Sequence, residues 1–168
     1  KKLEIHDSQW LKITKNISKT TMTGRCEILN IEASYLIADG AQNNKSSKAL
    51  LKTLKQLNFD ITKAVWIYGS SEGHDSKETL KCLEKYNPKI ILTKSRIPKS
   101  KSIDNILKEL KGLNLDIIEI TNNSLEAYEK AKKILKKDEY IIVFGSLYIA
   151  AEIIELVKKI NPEKYNYE

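Results

Sequence analysis

Three places along the chain carry side chains that could bind an anionic or amine-bearing ligand. Asp39 opens the polar turn 39–44, Arg25 precedes the first apolar run, and Ser146 follows Gly145 after the last one. A carboxylate at a strand end can accept hydrogen bonds from a ribose or an amine, or hold a metal through water, whereas the guanidinium fork of arginine suits phosphate or carboxylate. Glycine followed by serine at a helix start can hold an anion, because glycine lets the ligand approach the backbone and serine adds a hydroxyl.

Each of these residues also has an ordinary structural role open to it. Asp39 could satisfy N–H groups of its own turn, while Asn43 or Asn44 caps the helix that follows. Arg25 could form a surface ion pair, and Ser146 could act only as the N-cap of the last helix. Spacing along the chain leaves both interpretations open at all three places.

His74 and Asp75 form a weaker candidate in a polar loop. One histidine beside one carboxylate supplies too few ligands for a metal site, and neither cysteine lies in a motif that would pair it with a histidine. We interpret His74 as a surface residue and keep His74, Asp75 and Asn43 as secondary candidates for ligand binding. The sequence predicts no metal site and no catalytic residue within this chain.

The composition is that of an ordinary folded domain. Its 168 residues, 41% hydrophobic and 30% charged, are enough for one domain with a real core and argue against disorder. No apolar run approaches the roughly 20 residues that a membrane-spanning helix needs, so we expect no membrane partner. The chain starts at Lys1-Lys2-Leu3-Glu4, with no initiator Met and no signal-like apolar segment. We therefore expect it to be part of a longer protein.

Charge and cysteine content narrow the function further. The net charge of +7 comes from lysines that alternate with acidic residues, as in the segment 126–138, which is typical of a solvated helix rather than of a clustered nucleic-acid-binding face. Nucleic-acid binding is therefore disfavoured. Cys26 and Cys82 lie in separate elements without metal-type spacing, which favours a reduced pair in a cytoplasmic protein over a disulfide.

Apolar runs and amphipathic segments alternate from residue 24 onward. Two short strands, Cys26–Leu29 and Tyr35–Ala38, are close enough to form a hairpin. Further strands are predicted at 64–68, 89–93, 116–120 and 140–144, and helices at 45–57, 76–86, 102–111, 124–136 and 147–160. Residues 1–23 carry only a weak helical pattern and are predicted to be a helix or linker from a preceding domain, with the domain proper at 24–168.

These elements predict an α/β fold with a doubly wound, mostly parallel sheet and helices on both faces, since buried parallel strands need helical crossovers. Right-handed crossovers would place the loops that follow the strands along one edge of the sheet. These loops begin at Asp39, Gly69, Thr93, Thr121 and Gly145. We expect any binding site to be assembled from them.

Two common nucleotide-binding motifs are missing from the sequence. No Gly-x-Gly-x-x-Gly follows a strand, and no Gly-x-x-x-x-Gly-Lys-Ser/Thr occurs. We therefore do not expect this chain to transfer phosphoryl groups by itself.

Three short motifs occur in a fixed order along the chain. They are Gly24-Arg25-Cys26-Glu27, the turn Asp39-Gly40-Ala41-Gln42-Asn43, and Gly145-Ser146 before the last helix. They resemble the Gly-Arg-x-Glu, Asp-Gly-Ala-His-Asn and closing Gly-Ser motifs of the carboxyl-terminal domain of folylpolyglutamate and dihydrofolate synthases, which belong to the Mur ligase superfamily. The resemblance covers most of residues 20–158.

The resemblance implies a Rossmann-like carboxyl-terminal domain of an ATP-dependent ligase that adds L-glutamate to the γ-carboxyl of a reduced folate through an acyl phosphate. In such enzymes a preceding P-loop ATPase domain of the same chain holds ATP and Mg²⁺, so residues 1–23 would lead from that domain and the fragment alone would be inactive. By position in the motifs, Arg25 and Asp39 match residues at the ATP, and Gln42 and Ser146 match residues associated with the incoming glutamate.

Gln42 departs from the family pattern, which has histidine there. A neutral amide can donate a hydrogen bond to a carboxylate but cannot carry a charge or take a proton. The resemblance therefore predicts an altered glutamate side of the site.

Two other hypotheses stay open from the sequence. A non-enzymatic α/β module could bind RNA or another anionic partner through the basic loop 93–102, whose cations are Lys94, Arg96, Lys99 and Lys101. Another Mur-type ligase would share the fold, although its carboxyl-terminal domain usually carries a different turn motif.

Overall fold

The centre of the molecule is a six-stranded sheet. A computed structural model describes residues 22–32 and 34–162. The strands are β1 (Glu27–Ile31), β2 (Ser34–Ala38), β3 (Ala64–Tyr68), β4 (Lys89–Leu92), β5 (Asp116–Ile120) and β6 (Tyr140–Phe144). Their order in the sheet is β1-β2-β6-β3-β4-β5. The helices are α1 (Asn44–Gln56), α2 (Ser76–Leu80), α3 (Ile103–Glu109), α4 (Ser124–Ile134) and α5 (Leu147–Lys158), with 3₁₀ helices at Ile61–Lys63 and Lys81–Tyr86.

Five of the six strands run parallel, which brings the loops after them to one edge. β1 pairs antiparallel with β2 as a hairpin, and β6 lies between β2 and β3, parallel to both. Because β6 lies between β2 and β3, the order of the strands in the sheet reverses next to β6. Such a switch point leaves a crevice outside the carboxyl ends of the strands. The predicted hairpin and mostly parallel sheet are confirmed.

The central strands β3, β4 and β6 are buried on both faces, since their side chains point alternately to opposite sides and helices cover both. On one face, Trp66 and Tyr68 of β3 pack with α1, α2 and α3, and on the other, Val65 and Ile67 pack with α4 and α5. All four side chains are fully buried. The predicted doubly wound arrangement, with helices on both faces, is therefore confirmed.

Most predicted elements lie within a few residues of the observed ones, with one difference in type. The helix expected at 76–86 is α-helical only to Leu80 and then tightens into the 3₁₀ helix Lys81–Tyr86, which ends at Asn87 in the left-handed region with φ 44°. Asparagine tolerates that conformation better than most residues, so it stops the helix there. The helical pattern predicted before residue 22 lies outside the described residues.

Within the described part of the chain, no helix has both the length and the apolar content needed to cross a membrane.

Candidate functional site

Three loops meet at the carboxyl edge of β2 and β6. The N–H of Asp39 donates to the carbonyl of Val143 at 2.9 Å, and the N–H of Gly145 donates to the carbonyl of Ala41 at 2.7 Å. The N–H of Gly40 donates to the carbonyl of Gly24, also at 2.7 Å. These backbone bonds join the chain before β1, the turn after β2 and the loop after β6 into one structure, as the predicted topology requires.

The carboxylate of Asp39 organises this structure. One of its oxygens, Oδ2, accepts the N–H of Cys26 at 2.7 Å, and the other, Oδ1, accepts the N–H of Ala41 at 2.7 Å. Burial raises the pKa of Asp39, while these two hydrogen bonds and the nearby positive charge of Arg25 act in the opposite direction. Each carboxylate oxygen can accept a second hydrogen bond. The side chain therefore holds the turn and can still accept a bond from a ligand.

The guanidinium of Arg25 lies against Gly40. A Cβ built on Gly40 would be 2.5 Å from Nη1 of Arg25 and 3.1 Å from Cδ1 of Leu147, so glycine gives the arginine room to approach the turn. Arg25 is exposed, and among the described residues its guanidinium has no hydrogen-bond or ion-pair partner. The surface ion pair considered as its ordinary role is not formed within this part of the chain.

Asn43 and Ser46 build the start of α1. Asn43 is the N-cap, its Oδ1 accepts the N–H of Ser46 at 3.0 Å, and the Ser46 hydroxyl accepts the N–H groups of Gln42 and Asn43, each at 3.1 Å. This reciprocal capping satisfies N–H groups that a helix start leaves free. Asn43 thus has a structural role, and the Gln42 side chain is not used for capping.

These residues surround an open cleft of about 320 Å³. Its lining includes Arg25, Asp39, Gln42 and Asn43, together with residues along one flank of α1. A cation, a carboxylate and an amide thus face the same volume at the strand-order switch. This arrangement can bind a ligand that carries both anionic oxygens and hydroxyl or amine donors.

Ser146 lies beside this cleft rather than in its lining. It is 1% exposed, it caps α5 by accepting the N–H of Tyr148 at 3.3 Å, and its hydroxyl lies 3.0 Å from that of Ser71. The capping role considered from the sequence is therefore present. Contact between Ser146 and a ligand would require its surroundings to open.

His74 and Asp75 lie on the loop after β3, outside the cleft. The backbone carbonyl of His74 accepts a hydrogen bond from the ammonium of Lys101, and Asp75 is the N-cap of α2, accepting the N–H of Glu78 at 3.0 Å. Both residues have structural partners. Among the described residues, no three His, Cys, Asp or Glu side chains are grouped as metal ligands.

The basic loop 93–102 is less exposed than its sequence indicates. Lys101 is 3% exposed and forms a 2.6 Å ion pair with Glu109, and Arg96 forms a 2.9 Å ion pair with Glu155. Of the four cations in this loop, Lys94 and Lys99 are the exposed ones without an internal ion pair in the described part of the chain. The loop therefore offers less free positive charge than a nucleic-acid interface needs.

Sequence reasoning did not select three residues that shape this region. Cys26 lines the cleft, with its thiol pKa raised by burial and by the charge of Asp39. Ser46 holds the turn through its hydroxyl, and Ser71 contacts Ser146. Ser46 stands three residues after the N-cap asparagine, at the capping-box position that Glu or Gln usually fills. The sequence therefore contained a capping-box pattern, but with an atypical residue. Nothing in the local sequence links Ser71 to Ser146, because 75 residues separate them.

The fold and the cleft together define an α/β domain with a ligand site at its strand-order switch. Residues 24–147 match the family described as Mur ligase, glutamate ligase domain. The chain belongs to this family.

A curated relative is 25% identical over 145 residues, which is 86% of this chain and 34% of the relative. It is the dihydrofolate synthase/folylpolyglutamate synthase of Buchnera aphidicola subsp. Schizaphis graminum. The chain thus spans about a third of the length of this relative.

Solved structures of similarly named proteins share the fold. FolC of E. coli, in complex with DHPP and ADP, is 19% identical with a TM-score of 0.74, over 95% of this chain and 36% of that one. The bifunctional folylpolyglutamate synthase/dihydrofolate synthase of Yersinia pestis, complexed with AMPPNP and Mn, is 20% identical with a TM-score of 0.71, over 93% of this chain and 35% of that one. The folylpolyglutamate synthase of Mycobacterium tuberculosis, complexed with ADP and AMPPCP, is 18% identical with a TM-score of 0.71. The match covers 88% of this chain and 34% of that one.

Proposed function

We propose that this chain is the carboxyl-terminal domain of an ATP-dependent folylpolyglutamate synthase, a cytoplasmic enzyme that adds L-glutamate to the γ-carboxyl of a reduced folate. In this proposal, residues 1–23 lead from a preceding ATPase domain and residues 24–168 belong to the carboxyl-terminal domain. The family membership and the name of the Buchnera relative support this assignment. The observation that carries it is the cleft that holds Arg25, Asp39 and Gln42 together.

Arg25 and Asp39 suit the two ends of a nucleotide. The exposed guanidinium can neutralise phosphate charge that grows while a phosphoryl group is transferred, and the Asp39 carboxylate can accept a hydrogen bond from a ribose hydroxyl. An ADP or ATP analogue accompanies each of the structures compared above. We assign both residues to the binding of ATP.

Magnesium has no evident ligand set among residues 22–32 and 34–162. The described residues contain no group of three candidate metal ligands, and the sequence has no P-loop whose Ser or Thr hydroxyl could bind the ion. We therefore assign Mg²⁺ to the preceding domain and no step to a metal held here. When bound there, the ion would polarise the phosphates of ATP.

The glutamate side of the site would lie at Gln42 and Ser146. Gln42 faces the cleft and its side-chain amide can donate to a carboxylate, whereas Ser146 is buried against Ser71. We propose that closure of the preceding domain over the strand edge rearranges the loop at Gly145 so that the Ser146 hydroxyl becomes available. Closure would also exclude water from an acyl phosphate intermediate.

The proposed reaction is tested with the full-length protein, ATP, Mg²⁺, labelled L-glutamate and a reduced folate. We expect a folate product that is one glutamate longer, formed together with one ADP. Incubation without ATP is the control, and the 168-residue chain alone should form no product. ATP-dependent addition of another amino acid to a cell-wall precursor, without activity on folate, would overturn the proposal in favour of another Mur-type ligase.

A nucleic-acid-binding module remains the second hypothesis from the sequence, and the structure gives it less support. The burial of Lys101 and the ion pair of Arg96 remove two of the four cations on which it depended. Filter binding of this chain to single-stranded RNA at two salt concentrations checks it directly. We expect no salt-sensitive binding through this loop.

A further inference from the structure

The loop 69–75, which follows β3, packs against Ser146. The hydroxyl of its Ser71 lies 3.0 Å from the hydroxyl of Ser146, and both side chains are buried. A Cβ built on Gly145 would lie 2.5 Å from the carbonyl oxygen of Gly69, so the backbone before Ser146 packs directly on the start of this loop. The position of the loop 69–75 therefore determines the surroundings of the Ser146 hydroxyl.

The basic loop 93–102 is joined to the loop 69–75 through the backbone. Ser71 and Ser100 form an isolated antiparallel bridge between the two loops. Two backbone hydrogen bonds, each 2.8 Å long, flank this bridge: the N–H of Glu72 donates to the carbonyl of Lys99, and the N–H of Lys101 donates to the carbonyl of Ser70. The two loops are therefore held together on both sides of Ser71.

The side chain of Lys101 fastens the far end of the loop 69–75 to α3. Its ammonium donates to the backbone carbonyl of His74 and forms the 2.6 Å ion pair with Glu109. The other carboxylate oxygen of Glu109 accepts the N–H of Ser76, the first residue of α2, at 2.8 Å. This one ion pair thus joins the loop, the helix that follows the loop, and α3.

Stability alone does not explain why a lysine occupies this position. Only 3% of Lys101 is exposed, and taking an ammonium group out of water costs free energy that an ion pair recovers only in part. Apolar residues in place of a buried ion pair often leave the stability of a protein unchanged or raise it. A buried polar network with its hydrogen bonds satisfied instead fixes the positions of its members. The member on the loop 69–75 is the carbonyl of His74.

We propose that Lys101 is a positioning residue for the amino-acid side of the site, an assignment that rests on the proposed function. Lys101 fixes the loop 69–75, the loop places the Ser71 hydroxyl, and Ser71 determines where the Ser146 hydroxyl lies before it binds glutamate. The cleft assigned to ATP is lined by neither loop within the described part of the chain. Loss of Lys101 therefore weakens the binding of glutamate and not the binding of ATP.

The test compares variants of the full-length protein by steady-state kinetics. Lys101→Met removes the cation, and the double variant Lys101→Met, Glu109→Gln also removes the carboxylate charge while it keeps an acceptor for Ser76. We expect both to raise the KM for glutamate about fivefold, the effect of losing roughly one hydrogen bond to a ligand, with an unchanged KM for ATP. The matched control Lys94→Met removes an exposed lysine from the same loop and should change neither KM.

Hydrogen exchange of the full-length protein tests the position of the loop without any assay of activity. The amides of residues 70–76 should exchange about tenfold faster with Lys101→Met than in the wild-type protein, because the loop opens more often without its fastening. Lys94→Met should leave this exchange unchanged. Circular dichroism of the double variant, which has no unpaired buried charge, confirms that it folds.

Three results would overturn this proposal: an unchanged KM for glutamate in both Lys101 variants, an equal rise in the KM for glutamate and the KM for ATP, or unchanged exchange of residues 70–76. A wild-type protein that adds no glutamate to folate would overturn the proposed function, and with it the role of Lys101 at the amino-acid site. The exchange result separates that failure from a failure of loop positioning.

Discussion

At the scale of single residues, Asp39 has the structural role that its position in the sequence leaves open, and its place in the cleft keeps the proposed binding role. It accepts N–H groups from two separate segments, at Cys26 and Ala41, and it faces the cleft. Holding the turn is therefore a condition for the binding role proposed for it. A substitution of Asp39 would change both the folding of the turn and ligand binding, so substitutions of neighbouring residues give cleaner tests of binding.

Gly40→Ala tests whether the position of the Arg25 guanidinium matters. The added methyl group would lie 2.5 Å from Nη1 of Arg25, and the flexible arginine can move away at little cost to stability. We expect a KM for ATP raised about tenfold in the full-length protein, with the melting temperature lowered by only a few degrees because Leu147 must also shift. An unchanged KM for ATP would show that the guanidinium does not act from this position.

Gln42→His tests the amino-acid side of the site. Histidine restores the residue of the family motif, and a protonated imidazole would attract the glutamate carboxylate more strongly than an amide does. We expect a lower KM for glutamate with an unchanged KM for ATP, measured by steady-state kinetics of the full-length protein. No change in the KM for glutamate would contradict a glutamate site that is weakened by Gln42.

At the scale of elements, the start of α1 positions the cleft. The turn 39–43 is held by the Asp39 carboxylate on one side and by the Asn43–Ser46 capping box on the other. Sequence reasoning predicted both the turn and a capping asparagine, because asparagine before an amphipathic run is a local signal. The contact between Ser71 and Ser146 could not be predicted, since it depends on β6 lying beside β3.

Asn43→Ala should weaken α1 at its first turn. The N–H of Ser46 loses its acceptor, which costs about 1 kcal/mol of the free energy of unfolding. Urea unfolding of the 168-residue chain measures this difference. Asn105→Ala on the exposed side of α3 is the control and should change the free energy of unfolding by less than about 0.5 kcal/mol. Equal effects of the two substitutions would contradict the capping role.

Glu152 on α5 should make stability depend on pH. It is 5% exposed, accepts hydrogen bonds from Ser124 and from the N–H of Arg96, and burial raises its pKa. Because the pKa in the folded state lies above that in the unfolded state, the stabilising effect is complete below the ordinary carboxyl range. It is lost as the pH rises through the raised pKa.

The variant Glu152→Gln keeps the shape of the side chain and removes this titration. Urea unfolding from pH 4 to pH 7 should show the variant gaining stability relative to the wild-type chain as the pH rises. Glu72→Gln, at an exposed position, is the control and should not show this trend. A constant difference between Glu152→Gln and wild type across this range would contradict the titration of Glu152 within it.

At the scale of the whole molecule, the sequence was sufficient for the fold. The strands at 64–68, 116–120 and 140–144 match the predicted bounds, because each is rich in β-branched or aromatic residues and is followed by a polar or turn residue. The prediction of one α-helix over 76–86 was wrong beyond Leu80, where the chain forms a 3₁₀ helix. Hydrophobic periodicity does not separate a 3₁₀ turn from an α-helical turn in so short a segment.

The sequence was a poorer guide to burial outside the core. Lys101 is almost fully buried with Glu109 as its partner, although lysine in a polar loop predicts exposure. Ser146 is similarly covered, at a position where the motif predicts a ligand contact. Both depend on how separate loops pack over the strand edge, which is a property of the assembled sheet and not of either segment.

The central claim is that Arg25 faces the phosphates of ATP in a ligase that adds glutamate to folate. The most direct measurement compares ATP-dependent glutamate addition by the full-length protein with Arg25→Ala and with the matched charge control Lys94→Ala, an exposed cation on another loop at the same edge. We predict a loss of about 100-fold in kcat/KM for ATP with Arg25→Ala and less than a threefold change with Lys94→Ala. Normal turnover by Arg25→Ala, or an equal loss in both variants, would contradict the claim.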